Sequence, residues 1–175
     1  ALVSSIVSQQ ISGKAAESIW RKLLAACGEM KPERIASMDD DALHAAGLSR
    51  PKVAYLRDLT RRLMCSEIDL DALPAMPDEQ VVETLVVVHG IGVWTAQMFL
   101  IFCLGRPDVF APKDLGLRAG MKWLYSMSDL PAEKESVPIA ENWRPYRTVA
   151  SLYLWQSVIR GLTKVAGSPT SQVEN

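Results

Sequence analysis

Residues 86–114 read VVVHGIGVWTAQMFLIFCLGRPDVFAPKD, and the fold of the whole chain can be worked out from this stretch outward. His89-Gly90-Ile91-Gly92 places a Gly-X-Gly turn between two apolar helical runs, and Asp114 brings one carboxylate to the mouth of the next expected helix. Two glycines around one apolar residue let the backbone turn sharply with no Cβ in the way. Amide N–H groups at the start of a helix over 93–104 can then approach a ligand closely. A helix N-terminus is an anion site, and a nucleic-acid phosphate is the anion that a surface turn of this kind most often takes. Ile91 reads as a plug packing the turn onto both helices. A helix-turn-helix corner without any ligand uses the same residue types, so a binding turn and an architectural one both remain open on these residues alone.

Composition bounds the classes. With 175 residues, 49% of them hydrophobic, the chain is long enough for one well-buried core or for two small helical lobes sharing a cleft. The formal net charge of −1 provides no global positive field, so any nucleic-acid binding has to come from local geometry. Cys27, Cys65 and Cys103 are odd in number and far apart, which argues against a disulfide framework, a zinc site and a Cys-ligated iron–sulfur cluster. His44 and His89 make no ligand set. No run reaches the roughly 18 apolar residues of a membrane span, and no signal peptide is visible. The chain opens without Met and in mid-helix, so the expectation is that residues preceding Ala1 are missing. A cytoplasmic protein is expected, nucleoid-associated if bacterial and nuclear if eukaryotic, acting as a monomer without contact to a membrane.

Taken in order, Leu2, Ile6 and Val7 form an apolar stripe at helical spacing that breaks polar at Ser8-Gln9-Gln10. A second helix starting near Gly13 carries Ala15, Ala16, Ile19, Trp20, Leu23 and Leu24 on one face and stops at Gly28. Pro32 begins a short turn. Asp39-Asp40-Asp41 opens an acidic helix start suited to the macrodipole, and Ser49 and Pro51 open a longer helix to about Cys65. In that helix Val53, Leu56, Leu59 and Leu63 face inward, while Lys52, Arg57, Arg61 and Arg62 form a solvated face. A helix from Asp78 leads into the turn. The run Val86-Val87-Val88 has strand propensity, but no second strand exists to pair with it. Asp114 precedes a helix over 115–125, residues 126–138 read as a polar, Pro-containing loop, and the last helix covers 146–161. The chain is all-α, with a domain over 1–165 and a disordered tail over 166–175.

Three motifs, LVVVHGIGVWTAQMFL followed by DVFAPKDLGLR, the early SQQIS-x-x-AA, and the late W-x-P-Y-R-x-x-A-x-x-x-x-W, together resemble the helix-hairpin-helix (HhH-GPD) DNA glycosylase superfamily. The likeness covers about residues 2–161 and leans to its alkylated-base branch, 3-methyladenine DNA glycosylase II. It implies two helical lobes around a cleft and a monofunctional enzyme that flips alkylated purines out of damaged double-stranded DNA and hydrolyses the N-glycosidic bond. Asp114 matches the catalytic Asp, and Trp94, Met98 and Trp155 match base-pocket positions. Gln10 falls where the family places the wedge that fills the vacated stack, and Ser12 lies near the minor-groove edge. His89, Gly90, Ile91, Gly92 and Val93 match the hairpin that holds the DNA backbone. The resemblance also implies a monovalent cation, Na+ or K+, on the backbone carbonyls of Val86, Val88 and Ile91, with no other cofactor required. His89 departs from the pattern, since many members have Pro there, which should alter the rigidity of the turn more than its function.

The chemistry of the residues agrees. Breaking an N-glycosidic bond builds oxocarbenium charge on the sugar, which a nearby carboxylate stabilises, or the carboxylate orients the attacking water. Tryptophan faces favour a cationic alkylated base by about 0.5–2 kcal/mol per contact. Bifunctional members carry a nucleophilic Lys where this chain has Trp94. A uracil or mismatch glycosylase and a non-catalytic helix-hairpin-helix DNA-binding module are the competing readings; in the second, Asp114 is only the N-cap of the following helix.

Overall fold

The computed structural model describes residues 1–163; the tail over 166–175 lies outside the described residues. Among these there are ten α-helices, one 3-10 turn and no strand, which is the all-α class that the periodicity implies. No helix among them is long and apolar enough to cross a membrane. The chain separates into two compact units, Ala1–Phe99 and a second beginning at Leu100.

The first unit holds α1 (Leu2–Ser8), α2 (Gly13–Cys27), α3 (Pro32–Ser37), α4 (Asp40–Ala45), α5 (Arg50–Met64), a 3-10 turn over Leu73–Ala75, α6 (Asp78–Val86) and the start of α7 (Val93–Phe102). Its organising element is α5, which packs against α1, α3 and α4. Val53 and Leu56 sit three residues apart on one face of α5 and join Val7, Leu23, Ile35 and Leu43 in a buried cluster. Full burial of each such side chain contributes about 1.5–3 kcal/mol. Polar residues set the helix starts. Ser12 Oγ accepts from the Ala15 amide at 3.3 Å and Asp39 Oδ1 from the Ala42 amide at 2.7 Å, each satisfying a donor that the first turn leaves over.

Four local readings are corrected by packing. Leu24 is 39% exposed, because the stripe of α2 that meets the core is narrower than its apolar sequence and runs through Leu23 and Cys27. Pro32 opens a helix, α3, since a proline at the first helical position loses no hydrogen bond. Lys52 is buried, and its Nζ donates to Val7 O at 2.6 Å, supplying a partner to a carbonyl that the end of α1 leaves over; burial pushes the pKa of this ammonium down. Arg57 is no solvated charge either, for its guanidinium donates to Ile35 O, Met38 O and Asp40 Oδ1 and so caps the end of α3.

The second unit holds α8 (Leu115–Leu124), α9 (Glu133–Glu141) and α10 (Arg147–Ile159), with α8 packed on both others. Here α9 replaces the second part of the expected loop, from Glu133 onward. Pro138 removes one backbone donor inside the helix, yet the helix continues through it and buries Ser136 and Ala140. The start is secured by Glu135, whose Oε2 accepts from the Ala132 amide at 2.7 Å. The inward face of α10 is Thr148, Ser151, Leu154, Ser157 and Val158, so Val149, Leu152, Tyr153 and Ile159 stand exposed.

Candidate functional site

In the first unit the fold brings two turns together. Between α1 and α2, Gln10 is exposed and adopts a left-handed backbone, φ 57°. Between α6 and α7, Gly90 does the same at φ 85°. Gln9 Nε2 donates to Gly90 O at 2.8 Å. Gln10, Ser5, Tyr55, Gly90, Trp94 and Met98 line a common cavity of about 430 Å³, so Gln10, Trp94 and Met98 from the sequence reading are neighbours. Ser12 does not line it and serves as the cap of α2. Ile91 is buried, as a plug should be, and Val93 is exposed at the first position of α7.

The two glycines differ. A Cβ on Gly90 would lie 2.2 Å from Tyr55 Cδ2, whereas one on Gly92 would meet nothing within 4 Å. Gly90 is therefore demanded by conformation and packing, whereas no neighbour within the protein demands Gly92. The amides also divide. His89 N donates to Asp58 Oδ2 at 2.8 Å and Ile91 N to Val88 O at 3.0 Å, so these two serve the turn itself. What the hairpin presents to an anion is the first turn of α7.

Sequence reasoning missed the brace behind the hairpin. Tyr55 and Asp58 are three residues apart on α5 and face the turn together. Tyr55 meets the His89 ring edge-on, centroids 4.8 Å apart. Asp58 holds the His89 amide and is itself held by Arg62 Nε at 3.1 Å and Arg61 Nη2 at 3.3 Å, and Glu67 bridges the same two arginines. Burial raises the Asp58 pKa, but the His89 amide and the two guanidiniums outweigh it, and the net direction is down. The signal lay in the spacing of Tyr55, Asp58 and Arg62, which a reading of α5 as a solvated basic face passes over. His89, standing where a proline would stiffen the turn, is instead fixed by these contacts. Asp58 and Arg62 line a second cavity, of about 760 Å³, with Val86, Val88, Ile91 and the rest of the hairpin.

In the second unit Asp114 is the N-cap of α8. Its Oδ1 accepts from the Leu117 amide at 2.8 Å and from Trp155 Nε1 at 3.0 Å. Trp155 in turn stacks on Phe102, centroids 5.6 Å apart and planes 29° apart. Gly116 keeps the room for this pair, since a Cβ there would lie 3.1 Å from Asp114 Oδ1 and 3.3 Å from Trp155 Cδ1. The carboxylate is thus oriented by a helix N-terminus and an indole N–H, and it lies half-buried. Among the described residues no group of His, Cys, Asp or Glu is disposed to hold a metal ion.

The loop that carries Asp114 is clamped by the start of α10. Thr148 Oγ1 donates to Arg106 O at 2.7 Å and accepts from the Val109 amide at 3.0 Å. Arg147 grips Asp108 through Nε at 2.8 Å and Nη2 at 3.1 Å, and reaches Glu141 through Nη1 at 3.0 Å. The Arg147 hydrogen bonds hold the Asp108 carboxyl below its usual range. A carboxyl whose folded pKa lies below its unfolded value of about 3.9 contributes stability above that value and loses it as pH falls through the folded pKa. Asp108→Asn should therefore cost about 1–3 kcal/mol at pH 7. Urea unfolding at stepped pH should show the variant losing less stability than wild type between about pH 5 and pH 2; parallel curves would show that Asp108 bears no such load.

Comparison with known proteins places this arrangement. Residues 3–145 match the family described as HhH-GPD superfamily base excision DNA repair protein. The chain is similar to the crystal structure of a DNA-3-methyladenine glycosidase from Bacillus halodurans, with a TM-score of 0.83 and 38% identity over 98% of this chain and 76% of that one. It is also similar to the Schizosaccharomyces pombe 3-methyladenine DNA glycosylase solved with abasic DNA, with a TM-score of 0.80 and 31% identity over 89% of this chain and 78% of that one. A Bacillus subtilis relative is 34% identical over 90% of this chain, which spans 58% of that relative's length.

Proposed function

The chain belongs to the HhH-GPD superfamily of base excision DNA repair proteins, and from that premise we propose that it is a monofunctional DNA glycosylase that excises alkylated purines of the 3-methyladenine type from double-stranded DNA. The observation that carries the catalytic half is Asp114, a carboxylate aimed by the Leu117 amide and the Trp155 indole. In the reaction the C1′–N bond breaks and its electron pair leaves with the base nitrogen. Positive charge builds on the sugar opposite Asp114, and water adds at C1′ with its proton passing to the carboxylate. The products are a free base and an abasic site. Trp94 and Met98 offer an aromatic face and a soft thioether beside a cavity that takes a planar group. An alkylated purine carrying positive charge favours such a face and is already a good leaving group.

On the DNA side, the first turn of α7 takes backbone phosphate, and Gln10, exposed on a strained turn, fills the stack that the flipped nucleotide leaves. Turning the nucleotide out costs a few kcal/mol and least at damaged bases. The proposal includes a monovalent cation, Na+ or K+, on the carbonyls of Val86, Val88 and Ile91. These residues line one cavity with the Asp58 carboxylate, and hard oxygen donors suit such an ion. Held by these carbonyls, such an ion would add positive charge at the hairpin for a DNA phosphate.

The test is a panel of duplexes, each bearing one lesion, with the released base identified and sodium borohydride present in a parallel set. Release of methylated purines, no covalent adduct and an intact strand are expected, because Trp94 stands where bifunctional enzymes carry their Lys. A trapped adduct would point to an amine nucleophile such as Lys113. Release of uracil alone would move the substrate class, and release of nothing would leave a DNA-binding module.

A further inference from the structure

The proposed function uses the Gln10 turn and the hairpin, but gives no task to the side chain that joins them. Gln9 is half-buried, and its Nε2 donates to Gly90 O at 2.8 Å across 81 positions of sequence. Its partner is the one hairpin residue whose conformation and packing allow no side chain, with the Tyr55 ring against it. The residue after Gln9 is strained, because a non-glycine residue at φ 57° persists only when its surroundings hold it there. Three hydrogen bonds bracket this turn. Lys52 Nζ holds Val7 O at 2.6 Å before the turn, and Ser12 caps α2 after it. Between these two anchors, the Gln9 amide donates a hydrogen bond that ties the turn to the hairpin.

We propose that Gln9 is a positioning residue whose amide locks the strained turn onto the hairpin carbonyl, so that Gln10 is already set for insertion when the hairpin engages the DNA backbone. A wedge ordered in advance does not have to be ordered during binding. The inference rests on the DNA-binding part of the proposed function and not on base release. A merely stabilising Gln9 would change the unfolding midpoint without changing what the bound protein does to the DNA.

The experiment therefore reads insertion without chemistry. A duplex carries a non-hydrolysable abasic analogue with 2-aminopurine opposite it, and the protein is added to saturation while fluorescence and anisotropy are followed together. Wild type should change the 2-aminopurine signal. Gln9→Ala and Gln9→Glu, the second of which keeps the length but sets an acceptor against the Gly90 carbonyl, should bind within about threefold of wild type. At saturation they should give under about a third of its fluorescence change. Adding Gln10→Ala to Gln9→Ala should produce little further loss, since both act on one event. A full signal from saturated Gln9→Ala, strictly additive losses, or no signal from wild type would each overturn the inference. A normal wild-type signal from a protein that releases no base would sink the excision reading and leave Gln9 standing.

Discussion

Replacing Asp114 with Asn is expected to give a folded protein that binds duplex DNA and releases almost no base. The side-chain oxygen of Asn accepts from the Leu117 amide and the Trp155 indole as Asp114 Oδ1 does, at 2.8 and 3.0 Å in the native protein. The capping loss is then at most about 1 kcal/mol. What disappears is the negative charge facing the sugar as positive charge builds. Its loss compares with deletion of one oxyanion-hole donor, about 10²- to 10³-fold in rate. Binding should persist or tighten, because a repulsion with phosphate has gone too. Single-turnover release and a binding titration on the same variant make the pair of measurements. The substrate should be one whose base leaves reluctantly, such as hypoxanthine, since a labile base departs with little help from any carboxylate. Unimpaired release of hypoxanthine by Asp114→Asn would falsify the catalytic role.

At the hairpin the two glycines should behave in opposite ways. Gly90→Ala forces a Cβ to within 2.2 Å of the Tyr55 ring at φ 85°. The left-handed backbone alone costs about 1–2 kcal/mol, and the displaced ring adds to it, so the urea midpoint should drop. Gly92→Ala meets nothing within 4 Å and should unfold as wild type does. If phosphate approaches the first turn of α7, that added methyl stands in its way. Loss of one charge-assisted contact, about 1.5–3 kcal/mol, weakens binding by about tenfold or more. The loss should be equal on damaged and undamaged duplex, because a backbone contact carries no base information. Wild-type affinity of Gly92→Ala for both duplexes would make the turn architectural.

The sequence alone determined what depends on neighbours within one helical turn. Apolar spacing marked most of the helices, Asp39 marked a start, and Asp114 was recognisable as a carboxylate at a helix mouth. Local rules failed where packing set the outcome. Pro138 reads as a loop and sits inside α9, Lys52 reads as solvated and is buried, and the two hairpin glycines look alike and are not. The groups that orient the candidate site were legible least of all. Gln9 meets Gly90 across 81 positions, Asp58 meets His89 across 31, and Trp155 meets Asp114 across 41. Each of these hydrogen bonds exists because particular helix faces pack together. Periodicity specifies which face of a helix turns inward but not which other helix it meets, so only the tertiary structure decided what aims the carboxylate and what holds the turns.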